Sequence, residues 1–67
     1  MATFMEANQA RLALKMKLGM HYWYNTVAVA NGDGEFHVVV YVKKIDDKIR
    51  KTVPQVYNGV SVKTEVE

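Results

Sequence analysis

The segment GEFHVVVYVKK, residues 34–44, constrains the fold most, because it predicts a β-strand that is apolar on both faces. Successive side chains of a strand point to opposite faces of a sheet. The two alternating sets are Phe36, Val38, Val40 and Val42, and His37, Val39, Tyr41 and Lys43. Only His37 and Lys43 are strongly polar in the second set. Such a strand needs cover on both faces, so the question is what lies against the second one.

A partner strand is predicted just before it, in HYWYNTVAVA (21–30), because aromatic and β-branched residues favour strands. The intervening NGDG, residues 31–34, is a turn signal. We predict an antiparallel hairpin with Ala30 opposite Glu35. This register assigns the core face to Trp23, Asn25, Val27, Val29, Phe36, Val38, Val40 and Val42. It assigns the second face to Tyr22, Tyr24, Thr26, Ala28, His37, Val39, Tyr41 and Lys43.

A helix is predicted over TFMEANQARLALKMKLG, residues 3–19. Thr3 and Glu6 have the spacing of a capping box, and Gly19 is placed to end the helix. Apolar residues recur at helical spacing and predict one buried face. That face consists of Phe4, Ala7, Ala10, Leu14 and Leu18.

The C-terminal third predicts a short helix or turn followed by a strand. Asp46 or Asp47 can cap a short helix in KIDDKIRKTVP (44–54), and a last strand begins near Val60. Val56 and Tyr57 either pair across the Asn58-Gly59 turn signal or simply lead into that strand. The prediction is one α+β domain over residues 1–67, with the N-terminal helix packed on a mainly antiparallel three-stranded sheet. The strand order stays open.

Composition narrows the function classes. Sixty-seven residues form one domain, which buries only about 60% of its unfolded surface, so partner subunits often assist chains of this size. There is no cysteine, and the two histidines, His21 and His37, are far apart in the chain, so neither a metal nor a cofactor is expected. No apolar run is long enough to span a membrane and no signal peptide is evident, so a cytoplasmic protein is expected.

The segments HVVVYVKK and VPQVYNGVSV carry one resemblance, and the compact style of the whole chain carries another. Over residues 24–66 the chain resembles small bacterial α+β modules in which a valine strand ends in lysines and precedes a Val/Ile-Pro and an Asn/Asp-Gly-Val pattern. Modules of that type accompany some trypsin-like proteases as non-catalytic pieces. The whole chain is also similar in style to small bacteriophage accessory proteins, which would imply host cytoplasm or a virion as its location. The first resemblance implies the fold and carries no catalytic residue onto this chain.

Catalytic motifs are not evident either. Ser61 is the only serine and is not in a Gly-x-Ser-x-Gly elbow. His37 could titrate near neutral pH, with Glu35 on the same face, but spacing brings no carboxylate firmly to it. Asp46 and Asp47 are adjacent and suit helix capping better than a catalytic pair. We expect no enzyme.

The second sheet face is therefore the candidate interface. It consists of Tyr22, Tyr24, Thr26, Ala28, His37, Val39 and Tyr41. Aromatic and small side chains together suit burial against a second copy, with a homodimer as the first expectation, or against a protein partner that adds a strand. In the alternative, the tyrosines stack on the bases of a single-stranded nucleic acid, next to Lys43 and Lys44.

Basic residues are concentrated between positions 43 and 51, although the net charge of the chain is only +2. They are Lys43, Lys44, Lys48, Arg50 and Lys51. This run is either a solvated connection after a strand or a patch for phosphate, nucleic acid or an acidic partner.

Overall fold

A computed structural model describes residues 2–32 and 34–67, and this part of the chain forms helices on one side of a mixed sheet. The elements in chain order are α1 (Phe4–Leu18), β1 (Tyr24–Gly32), β2 (Glu35–Val42), α2 (Asp47–Thr52), β3 (Val56–Tyr57) and β4 (Val60–Val66). The predicted α+β class is confirmed. None of the helices in the described residues is long and apolar enough to cross a membrane.

The sheet has the strand order β1-β2-β4-β3, and this corrects the prediction of a three-stranded, mainly antiparallel sheet. β2 runs antiparallel to β1 but parallel to β4, and β3 pairs antiparallel with β4. The α2 connection carries the chain from the end of β2 back to its start, which is what a parallel pair requires. The fourth strand exists because Val56 and Tyr57 pair with Ser61 and Val60 across the Asn58-Gly59 turn.

Helix α1 forms where its capping signals predict it. The Thr3 hydroxyl accepts from the Glu6 N–H at 3.2 Å, and the Glu6 carboxylate accepts from the Thr3 N–H at 3.0 Å, so the capping box is complete. Ala7, Ala10, Leu14 and Leu18 are buried against the sheet. Phe4 departs from the prediction, since it is 53% exposed and meets Phe36 edge-on with ring centroids 5.6 Å apart.

Helix α2 lies on the same side of the sheet as α1. The Asp46 carboxylate caps it by accepting from the Ile49 N–H at 2.8 Å. Ile49 and Val53 are buried in the same apolar cluster as Leu14, Val38 and Val60. Both helices therefore cover one face of the sheet, and no helix among the described residues covers the other.

The β1–β2 hairpin confirms the predicted pairing of the two strands but corrects its register. Ala30 lies opposite His37 rather than Glu35, and Gly32 lies opposite Glu35. The difference is two residues, and a shift by an even number leaves the side chains from Thr26 onwards on their predicted faces. The core valines Val27, Val38, Val40 and Val42 are accordingly buried. Asp33, in the predicted turn, lies outside the described residues.

Candidate interaction surface

The candidate interaction surface is the sheet face opposite the helices, called the open face below. The register aligns Thr26 with Tyr41 and Ala28 with Val39, as members of this face. Strand β4 extends it, because Lys63 lies beside Val39 and Glu65 beside Tyr41. The predicted interface residues that do share this face are Thr26, Ala28, His37, Val39 and Tyr41.

Val39 occupies the centre of the open face. It is only 5% exposed, yet it does not belong to the apolar cluster beneath the helices. Its flanking positions in the sheet are Ala28 on β1 and Lys63 on β4. Val39 is therefore covered by neighbours on its own face, which leaves a shallow surface rather than a deep pocket.

The open face divides into two halves of different character. The half on β1 and β2 is uncharged between Glu35 and Lys43, and is called the uncharged half below; its members are Thr26, Ala28, Ala30, His37, Val39 and Tyr41. The half on β4 carries Ser61, Lys63 and Glu65, all exposed. The apolar character predicted for the second face is thus confined to one half.

Tyr24 does not join the open face, contrary to the prediction. It lies opposite Val42 and packs against the core, because the register shifts between Tyr24 and Thr26 and leaves Asn25 without a partner. Burial raises the pKa of Tyr24, while the positive charge of Arg11 on α1 acts in the opposite direction. Asn25, predicted to face the core, is exposed instead and donates to the Glu67 carboxylate.

Tyr22 is also separate from the other predicted interface residues. It precedes β1 and is 74% exposed. The Lys44 Nζ lies 5.4 Å from the centre of its ring, and the interaction with the Tyr22 side chain raises the pKa of Lys44. Tyr22 lines a small cavity of about 190 Å³ with Asp46, Lys48 and other residues near α2. The three tyrosines therefore do not share one surface.

The basic residues of segment 43–51 are dispersed in the same way. Lys44 contacts Tyr22, and Lys48 borders the cavity beside it. Arg50 instead lines a groove of about 560 Å³ next to β4. Lys43 and Lys51 are exposed. These side chains lie beside different parts of the surface, which favours the interpretation of a solvated connection over that of one continuous patch.

Strand β1 forms a free edge of the sheet beside the uncharged half. The Glu67 N–H donates to the Val42 carbonyl at 3.1 Å, so the backbone groups of Val42 point towards β4. Because this direction alternates along a strand, those of Val39 point towards Ala28 on β1. The outward-pointing backbone groups of β1 are then those of Val27, Val29 and Asn31. The strand, YNTVAVANG, contains no charged residue and no proline to block pairing with another chain.

Several polar groups of the open face lie around one cleft near His37. Glu35, His37, Ser61 and Lys63 line a shallow cleft of about 150 Å³ with Gly32. None of the side-chain hydrogen bonds among the described residues joins these groups to one another. His21, the other histidine, stacks on Trp23 with ring centroids 4.6 Å apart. Within residues 2–32 and 34–67, no three metal-ligating side chains cluster.

Comparison with known proteins adds no relative. No family model, no curated protein and no solved structure matches this chain. The geometry of the open face and of the sheet edges is therefore what bears on function. The sequence alone does not assign Lys63 and Glu65 to the open face, because that assignment depends on the strand order. It does show that they alternate with Val62.

Proposed function

We propose that this protein is non-enzymatic and works by associating with a second copy of itself through the uncharged half of the open face and the neighbouring β1 edge. The observation that carries the proposal is that these two features lie side by side. Neither helix covers the uncharged half, and β1 beside it has outward-pointing backbone groups without a charged side chain among its residues.

The energetics favour such an association. Burying an exposed aliphatic or aromatic side chain contributes about 1.5–3 kcal/mol. Tyr41, Ala28 and Ala30 are each only partly buried in the isolated chain, so a partner would remove further apolar area from water. A domain of this size has a total stability of about 5–15 kcal/mol or less, so several such contacts would be a substantial addition.

Sedimentation velocity and light scattering at micromolar concentration test the proposal directly. We expect a dimer for the unmodified chain. Ala28→Lys places a charge in the centre of the uncharged half and should give a monomer, because a lysine buried without a partner is unfavourable. Ser61→Lys is the matched control, since it places the same charge on the same face within the half that is already charged. A monomeric unmodified chain, or equal effects of the two substitutions, would refute the proposal.

A second substitution distinguishes joined edges from stacked faces. The Val29 N–H points outwards from β1, so Val29→Pro removes an edge donor without removing a hydrogen bond to β2. If the copies pair through β1, this variant is monomeric although circular dichroism shows a folded chain. If they stack through their open faces alone, it remains a dimer.

Single-stranded nucleic acid is the alternative partner, with Tyr22, Tyr24, Tyr41 and the lysines near them as the contacts. Tyr41 is on the open face, whereas Tyr24 packs towards the core and Tyr22 lies against Lys44. This separation favours self-association over stacking on successive bases. Fluorescence anisotropy with a labelled oligothymidine tests the alternative. It predicts binding that weakens as salt rises and on Tyr41→Ala.

A further inference from the structure

We propose that the groove beside β4 binds an extended peptide segment carrying acidic side chains, which pairs with the sheet at Thr64 and Val66. This site is separate from the uncharged half of the open face. The inference does not rest on self-association, and either proposal can fail without the other.

A row of backbone groups at the β4 edge points away from β2 and could pair with a peptide. The Val62 N–H donates to the Gln55 carbonyl at 2.8 Å, whereas the Glu67 N–H donates to Val42 on the opposite side. Since backbone direction alternates along a strand, Thr64 and Val66 point the same way as Val62, away from β2. Strand β3 pairs only at Val60 and Ser61, so it ends before reaching Thr64. This edge can accept another strand.

The second support is the shape of the space beside that edge. A groove of about 560 Å³ has one wall formed by β4 and the other formed by α2 and the residues around it. Val53 and Val62 contribute buried apolar surface to it, and Gln55 closes the end where β3 begins. A groove between a helix and a strand edge accommodates an extended chain, because main-chain hydrogen bonds form on one side and side chains pack on the other.

The third support is charge, which selects an acidic segment. Arg50 and Lys63 are exposed where they line the groove, against the single carboxylate of Glu65. Cations at the rim favour carboxylates on the partner and raise its rate of association. A peptide also supplies the alternating donors and acceptors that a strand edge needs, whereas a nucleic-acid backbone supplies chiefly phosphate acceptors.

An NMR titration of the ¹⁵N-labelled protein tests the site with an acetylated, amidated pentapeptide, Thr-Glu-Val-Glu-Thr. We expect amide shifts at Thr64 and Val66, and slower hydrogen exchange of the Thr64 amide when the peptide is bound. The matching peptide with lysine in place of glutamate should not bind. Shifts confined to the open face or to β1, or no shifts at either β4 amide, would overturn the inference.

Charge-reversal variants then test the role of Arg50. Arg50→Glu should weaken binding roughly tenfold through loss of attraction and added repulsion. Lys51→Glu makes the same change of charge on the same helix outside the groove and should change affinity less than about twofold. Equal weakening by both would show general attraction rather than a built site. An oligothymidine that shifts the same β4 amides with equal affinity would also contradict the assignment to a peptide.

Discussion

Tyr24 lies opposite Val42 in the sheet, although its near neighbour Thr26 lies opposite Tyr41. Asn25 lies between them as an extra, unpaired residue of β1. It shifts the alternation of side chains, so that Tyr24 packs towards the helices while Thr26 faces away from them. This single extra residue therefore keeps Tyr24 off the open face.

This relationship predicts different costs for two neighbouring tyrosines. Tyr24→Ala should lower the free energy of unfolding by about 1–3 kcal/mol, because it removes a ring packed against the core. Tyr22→Ala should change it by less than about 0.5 kcal/mol, since that ring is mostly exposed. Urea denaturation followed by circular dichroism measures both. Equal losses for the two variants would contradict the bulge at Asn25.

The capping box of α1 makes part of the stability depend on pH. The backbone N–H of Thr3 donates to the Glu6 carboxylate, and the Thr3 side chain contributes next, so the pKa of Glu6 lies below its ordinary value of 4.5. Because the folded pKa is the lower one, this contribution is complete above pH 4.5 and is lost as the pH falls through the folded value. Glu6→Gln should reduce the difference in unfolding free energy between pH 6 and pH 3.

Thr3→Ala and Glu35→Gln accompany that measurement. Thr3→Ala should destabilise the protein by about 1 kcal/mol at neutral pH through loss of the cap. Glu35→Gln removes a carboxylate outside the box and should leave the pH dependence contributed by Glu6 unchanged. A pH dependence that Glu6→Gln leaves unchanged would show that the cap does not titrate as described.

The turn between β3 and β4 predicts a specific requirement for glycine. Asn58 and Gly59 have φ angles of 50° and 78°, in the left-handed region. Gly59→Ala should cost about 1–2 kcal/mol, because a side chain is unfavourable there, whereas Asn58→Gly should be nearly neutral. Thermal and urea unfolding measure the two changes. Full stability of Gly59→Ala would argue against this turn.

Val39 and Val40 are adjacent but lie on opposite faces, and they should respond differently to protein concentration. Val40→Ala opens a cavity beneath the helices and should cost about 2–3 kcal/mol at any concentration. Val39→Ala should cost more as the concentration rises, because association stabilises only the unmodified open face fully. Urea midpoints at several concentrations test this. Parallel behaviour of the two variants would count against an interface at Val39.

Much of the fold was predictable because its signals are local. Thr3, Glu6 and Gly19 marked the ends of α1, and alternation of valines identified β2. From Thr26 onwards the faces of the hairpin were predicted correctly even though the register was wrong, since the error there was an even number of residues. The bulge at Asn25 carried no comparable signal. Tyr24 was therefore assigned to the wrong face.

The position of β4 was not predictable from local signals, and it bears on the apolar character of β2. Strand β2 lies inside the sheet between β1 and β4, so its core valines pack beneath the helices while Ala28 and Lys63 flank Val39 on the open face. The pairing of β2 with β4 depends on how the α2 connection crosses the sheet, which no local pattern encodes. The β4 groove was missed for the same reason, because Arg50 and Thr64 meet only in that arrangement.

The place of β4 also bears on how the protein folds. Helix α1 and the β1–β2 hairpin are contiguous in the chain and can form from local contacts, whereas Val38 and Val62 are distant in sequence when they pair. Until β4 docks, the β2 edge has no paired strand, and the valines of β2 and β4 that would meet there remain exposed to water. We therefore expect the rate-limiting step of folding to be the docking of β3 and β4 onto the preformed α1–β1–β2 part. Slow docking would leave a partly folded chain that aggregates.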